Sequence, residues 1–215
     1  MSPDPRAANL LFAAPGIAHA LGNSLFTVHG RARLLSMSAG DPETPRDQID
    51  GDAAAVLEGA TKALGSLSAL RWIVGEARNP TPLTTVVREL VDVARVPLRD
   101  HGASVAISAQ ADVEAEVDPF EACHALLSAM RRVCEGPHAE AFSLELSIES
   151  QEAAASVTLR CVENSRSGHH GRPLGLVLDA LHAEGILAGA AWRSGGSPDL
   201  LVLAFIELPP NLRAS

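Results

Sequence analysis

The sequence has no tyrosine, and aromatic residues are only 3% of its 215. Its core must therefore be assembled from Ala, Leu and Val. Cysteine is scarce as well. Cys123, Cys134 and Cys161 are an odd set without a Cys-x-x-Cys pair, which fits core thiols in a reducing compartment. No apolar run approaches the roughly 20 residues that span a bilayer. The N-terminus, MSPDPRAANLLFAAPG, lacks both a charged leader and a convincing apolar one, so a cytoplasmic protein without a membrane partner is expected. The net charge of -9 and pI near 5.3 speak against a nucleic acid held through its phosphates. They leave room for a protein partner with a basic rim. At 47% hydrophobic and 20% charged residues, the chain has a globular composition and not a disordered one.

Two long helices come first. Ala18, Leu21, Leu25, Val28, Ala32 and Leu35 recur at 3-4-3-4-3 spacing, the a/d pattern of a coiled coil or bundle. Pro15 and Gly16 either interrupt this helix or mark its start. SAGDPETPRDQ, rich in turn formers, ends it. Ile49, Ala53, Val56, Ala60, Ala63, Leu67, Leu70 and Val74 repeat the pattern, and Leu57 and Leu64 widen the stripe. The expected product is an antiparallel hairpin over residues 1–78, which buries its stripe by pairing with a second copy in a four-helix bundle.

ARNPTP breaks the chain, and residues 79–215 read as a second domain. LTTVVRELVDVARVPLRDHG is a helix with Thr81 or Thr84 as N-cap. ASVAISA and VEAEV alternate like strands, and DPFEACHALLSAMRRVCEG is a helix opened by Asp118 and closed by Gly136. AFSLELSIES and AASVTLRCVE form a strand pair, PLGLVLDALHAEG a helix, and AGAAWRSGGSPDLLVLAFIELP a terminal strand pair. Three helices against an open, mostly antiparallel sheet make an α/β sandwich, and the whole chain is α+β.

With Ala18 at a and Leu21 at d, His19 falls at b and Asn23 at f, outside the seam and four residues apart, so they share a solvent-facing surface. Phe26 lies on the same strip, where a large apolar group is unusual. The bland reading is that His19 is one of 8 histidines placed where surfaces tolerate them. The sharper one is a docking site for a partner, with Gly22 and Thr27 beside it.

The order of parts resembles a bacterial sensor histidine kinase, in which a dimerising hairpin carries the phosphoacceptor His ahead of an ATP-binding α/β sandwich. GIAHALGNSL resembles that family's H-box, and VDPFEACHALLSAMRRV its N-box helix. VENSRSG stands where an Asp-x-Gly-x-Gly turn would be, and GRPLGLVLDALHAEG resembles the Gly-x-Gly-Leu turn with its helix. GGSPDLLVLAFIELP resembles the closing strands. The resemblance spans nearly the whole chain as an ordered series of parts.

Departures from the family pattern fall on its catalytic positions. The acidic residue after the phosphoacceptor, which sharpens the imidazole as nucleophile, is here Ala20. The asparagines that hold Mg²⁺ and phosphate align with Ser128 and Arg132. Arg132 either meets a phosphate directly or solvates a helix face, the commoner role. Glu163 replaces the adenine-reading Asp, and Ser165 and Ser167 replace glycines whose backbone must approach the ligand closely. Only His169 and His170 stand between Gly168 and Gly171, so the lid over ATP is essentially absent. The resemblance thus implies a degenerate nucleotide site at Ser128, Arg132, Glu163, Ser165, Gly171 and Gly175 that has lost ATP and Mg²⁺ or binds them only very weakly.

Three functions follow from it. The first is a histidine phosphotransferase without autokinase activity, which exchanges a phosphoryl group between His19 and a response regulator's receiver domain. In it Asn23 could orient water for dephosphorylation, and the receiver brings its own Mg²⁺. The second is a non-catalytic pseudokinase scaffold, and the third an atypical ATP-dependent autokinase. Weaker constellations add little. Cys134-x3-His138 with Cys123-His124 lacks the spacing of a zinc site and reads as core thiols. His169-His170 reads as a solvated turn, and Gly171 with Gly175 alone is a feeble phosphate-loop signal. Trp72 and Trp192 are expected to pack at the hairpin and the sheet.

Overall fold

A computed structural model describes residues 4–41, 43–110, 115–135, 142–151, 154–163, 190–194 and 200–206. Helix α1 runs from Pro5 to Ser38. Asp4 caps it, its Oδ1 accepting the Arg6 N–H at 3.0 Å, and proline at the first position fits a helix start. The helix passes through Pro15 without ending, so the start expected at Pro15–Gly16 lies ten residues too late. Leu11 and Pro15 are both exposed, and the carbonyl that the proline ring leaves without a donor sits on the wet side of the helix. Because α1 is this long, it has the length and apolarity to cross a membrane by composition alone, which the uninterrupted-run reading did not anticipate. Its Asn9, Phe12 and Ile17 are buried within the protein.

A turn in which Asp41 Oδ1 accepts from the Glu43 N–H at 2.9 Å leads to α2, Arg46–Ile73. The two helices meet along Ser24 and Val28 on one side and Asp52, Gly59, Ala63 and Ser66 on the other. A Cβ on Gly59 would lie 2.9 Å from Val28 Cγ2 and 3.3 Å from the Ser24 carbonyl, so glycine there lets the backbones close. Arg31 Nη1 meets the buried Asp52 Oδ1 at 2.8 Å. This seam is not the full heptad set. Ala18, Leu25, Ala32, Ala53, Leu67 and Val74 are exposed, together with Leu57 and Leu64. The apolar stripe is wider than one neighbouring helix can cover, and α2 takes the side lined by small residues.

Beyond α2, Gly75 turns the chain at φ +78°, a conformation that glycine adopts without steric cost. Strand β1 (Thr81–Pro82) pairs antiparallel with β3 (Glu116–Val117). Helix α3 spans Leu83–Asp100 with Pro82 at its cap and no side-chain cap bond. Neither Thr81 nor Thr84 is the N-cap: Thr81 is in β1, and its hydroxyl donates to the Asn79 carbonyl at 2.9 Å. Helix α4, Pro119–Glu135, starts as expected, with Asp118 Oδ1 accepting from the Phe120 N–H at 2.9 Å.

The main sheet holds β2 (Ala103–Gln110), β4 (Phe142–Gln151), β5 (Ala154–Glu163), β6 (Ala190–Ser194) and β7 (Leu200–Ile206) in the order β2-β4-β5-β7-β6. The β2–β4 pair is parallel, bridged through α4, and the other pairs are antiparallel. Leu144, Leu146, Ile148, Val157, Leu159 and Cys161 alternate inward into one core with α3 and α4. The expected helix over 173–185 lies outside the described residues. The core also takes in Phe12, Ala13 and Ile17 of α1 and Trp72 and Ile73 of α2, so the first turns of the hairpin are built into the sandwich. At the crossing with α3, a Cβ on Gly16 would collide with the Val93 carbonyl.

Candidate functional site

His19 is exposed on α1, and Asn23 lies one turn further on. The Asn23 side-chain nitrogen is 2.9 Å from His19 Nε2. An amide nitrogen only donates, so Nε2 accepts here and the ring proton sits on Nδ1. Thr27 Oγ1 donates to the Asn23 carbonyl at 2.9 Å. Phe26 is 80% exposed, and a Cβ on Gly22 would meet nothing within 4 Å. All five residues of the expected docking face thus stand on one open stretch of α1. Seven-residue spacing ties that stretch to the packing below it: Phe12, His19 and Phe26 share one helical azimuth, and Gly16 and Asn23 share another. Where this side carries Phe12 and Gly16, the sandwich covers it; where it carries His19, Asn23 and Phe26, it is bare.

Of the expected nucleotide site, Ser128, Arg132 and Glu163 are among the described residues. Ser128 is fully buried, and its Oγ accepts from Asn9 Nδ2 at 2.7 Å. It lies beneath α1 in the core and not at the wall of a cleft, because the N-terminal turns of α1 cover that face of α4. Arg132 is partly exposed and pairs with Glu135 Oε2 at 2.7 Å. Glu163 ends β5 opposite Phe142. Ser165, Ser167, His169, His170, Gly171 and Gly175 lie outside the described residues, as do the gap between Gly168 and Gly171 and His138. The Trp192 backbone belongs to β6, paired with Leu203. Cys123, Cys134 and Cys161 are all buried. Burial, helped by the nearby Asp118 charge, pushes the Cys123 thiol well above its ordinary range, which suits an inert core thiol.

Sequence reading missed a polar cluster on the joint between hairpin and sandwich. Asn9, wholly buried, donates to His124 Nδ1 at 3.0 Å as well as to Ser128, and its Oδ1 accepts from Arg131 Nε at 3.2 Å. His124 Nε2 reaches the Ile73 carbonyl at 3.1 Å. The available signal was Asn9 itself, a lone amide in the apolar run AANLLFAA. Its partners are more than 110 residues away in the sequence.

No family model matches the chain, and no curated protein matches it. The solved structures that resemble it include histidine kinases and a phosphotransferase. Histidine kinase AdeS of Acinetobacter baumannii is 11% identical over 89% of this chain and 98% of its own, with a TM-score of 0.44. The catalytic domain of histidine kinase ThkA is 12% identical over 62% of this chain and 99% of its own, with a TM-score of 0.42. A bacterial phosphotransferase is 14% identical over 95% of this chain and 97% of its own, with a TM-score of 0.37. Likenesses of this size add no weight to the role of any residue.

Proposed function

We propose that this chain is a two-component phosphotransfer protein, in which His19 exchanges a phosphoryl group with the aspartate of a response-regulator receiver domain. The observation that carries the reading is the His19–Asn23 pair in the open on α1, with Phe26 bare beside it. The chemistry asks for an accessible imidazole lone pair and a surface on which a receiver can sit, and the α1 face offers both. When Asn23 swings off Nε2, that nitrogen attacks the aspartyl phosphorus. An N–P bond forms, the acyl O–P bond breaks, and the carboxylate leaves. The Nδ1 proton stays on the ring, and the receiver's own metal offsets the phosphoryl charge.

In this reading the protein works in the cytoplasm as a homodimer. The bare stripe of Leu25, Leu57, Leu64 and Leu67 supports a second hairpin as its cover. It also works without ATP and Mg²⁺, which the burial of Ser128 under α1 supports. That burial favours a pseudokinase scaffold equally, with His19 inert, and phosphoryl transfer separates the two.

The test incubates the protein with a panel of ³²P-phosphorylated receiver domains, and in parallel with labelled ATP and Mg²⁺. Acid-labile label from a receiver that is absent in His19→Ala is the expected result. Label from ATP would restore an autokinase, and no label from either source would leave the scaffold.

A further inference from the structure

His124 ties three helices together through groups that accept only one of its protonation states. Arg131 can only donate, so its Nε–H at 3.2 Å fixes the Oδ1 side of the Asn9 amide. The amide nitrogen must then face His124, and its two N–H groups point among Ser128 Oγ at 2.7 Å, Nδ1 at 3.0 Å and the His124 carbonyl at 3.3 Å. On the other side of the ring, Nε2–H donates to the Ile73 carbonyl at 3.1 Å, at the last residue of α2. The ring is thus held as the neutral Nε2–H tautomer by partners on α1, α2 and α4, all of them buried. Imidazolium carries a second N–H on Nδ1, which would point at the Asn9 N–H₂. Turning the amide over rescues that contact only by aiming the same nitrogen at Arg131. In the closed joint, either orientation of the Asn9 amide thus sets one donor against another.

We infer that His124 is a proton-operated latch: neutral, it clamps the first turns of α1 and the end of α2 onto α4, and protonated, it releases them. The groups around it set the direction. From α1 come Arg6 and Asp4; from α4 come Arg131 with its partner Glu135, and Asp118 and Glu121 in the first turn. Arg78 follows α2. The guanidinium groups of Arg6 and Arg78 stack on Phe120 at 4.9 and 4.3 Å, and the Phe120 ring packs edge-on to His124 at 4.6 Å. Burial lowers the His124 pKa below its ordinary value; Arg6 adds to the shift, while the Ile73 bond and Asp4 oppose it. Sign follows directly. The open state binds a proton near pH 6.5 and the closed state only at lower pH, so the clamp is whole above about 6.5 and weakens as pH falls below it. This holds whether or not His19 carries phosphate.

The test is hydrogen exchange of the backbone amides of residues 9–17 in the full chain from pH 7.5 to 5, corrected for intrinsic rates, with the His124 ring followed by NMR. In the native chain, protection is expected to fall about tenfold for each unit by which the ring's closed-state value lies below its ordinary one, once pH has dropped past both. The hairpin amides around Arg31 and Asp52 should stay constant. His124→Gln keeps an acceptor for Asn9 and a donor for Ile73 but cannot titrate, so its protection should be flat. Asn9→Asp supplies an acceptor to both Nδ1–H and Arg131, so it should reverse the trend and tighten on acidification. The latch is overturned if native protection does not change with pH, if His124→Gln loses it as steeply, or if the ring titrates while residues 9–17 remain protected. Should His124→Gln not fold, the sign of the Asn9→Asp response and the native titration decide alone.

Discussion

Asn23 presents its side-chain nitrogen to Nε2 of His19 at 2.9 Å, one turn along the same exposed helix face. The bond holds the ring proton on Nδ1 and parks a polar group beside the ring, where an attacking water would have to be oriented. Asn23→Ala should leave stability within about 0.5 kcal/mol, as for other surface substitutions, and leave His19 open to phosphorylation. Any dephosphorylation of a receiver by this protein should slow by roughly a hundredfold, the loss expected when a reacting water is no longer held in position. Loss of label from a phosphorylated receiver, followed over time with both proteins, checks this.

At Gly16 two effects compete. Alanine is the better helix former by about 1 kcal/mol, but its Cβ would strike the Val93 carbonyl and crowd Pro97 Cδ at 3.2 Å. Both obstacles belong to a packed helix and yield little. Gly16→Ala should therefore be destabilising by about 2 kcal/mol net, seen as a lower urea midpoint at unchanged m-value.

Arg31 and Asp52 are unequal partners, with side chains 50% and 6% exposed. Arg31→Ala strands a buried carboxylate and should cost about 2 kcal/mol. Asp52→Ala strands a guanidinium that water can reach, and should cost less. Chemical denaturation of the two variants would show the order; the reverse order would mean that the pair contributes through packing.

Glu89 lies half-buried against α2, and a Cβ on Gly65 would run into its carboxylate. Burial raises its pKa, Asp92 adds to the rise, and Arg88 opposes it. A carboxyl that holds its proton more tightly when folded stabilises the fold below its unfolded value, near 4.3, and that contribution fades as pH rises through the folded one. Glu89→Gln should therefore raise the melting temperature at pH 7 and flatten the stability profile just above about pH 4.3. Thermal melts between pH 4 and 7 measure both.

The bare leucines make a separate prediction about assembly. Leu25 and Leu64 are 58% and 64% exposed in the single chain, so Leu25→Glu with Leu64→Glu should cost the monomer little. Sedimentation velocity should then show the species fall from twice the chain mass of 22.4 kDa to that mass. A native protein that already sediments as a single chain would remove the dimer.

Much of this arrangement is legible in residue spacing. Heptad arithmetic places His19 and Asn23 off the seam, because helix geometry alone decides that. Asp118 is readable as a cap, since its bond is local, and β4 and β5 alternate plainly. What spacing does not carry is contact between distant segments. Pro15-Gly16 reads as a break, yet the glycine is there to let α3 come close, and the helix runs on. The full heptad reads as one seam, but only the side with small residues meets α2. Ser128 reads as a ligand position because its register on α4 is the only local information; the amide that caps it lies 119 residues away.

That separation has a consequence for how the chain is made. Asn9, Phe12 and Ile17 emerge from the ribosome long before α3 and α4 exist, and their burial site is incomplete until residues 83–135 have followed. Closing so long a loop precedes any reward from the contacts it creates. During synthesis the amino-terminal turns are an apolar segment waiting for a partner, the condition under which nascent chains associate with the wrong surface. The hairpin's far end, held by Arg31 and Asp52, does not depend on that delay and can form as soon as residue 73 is out.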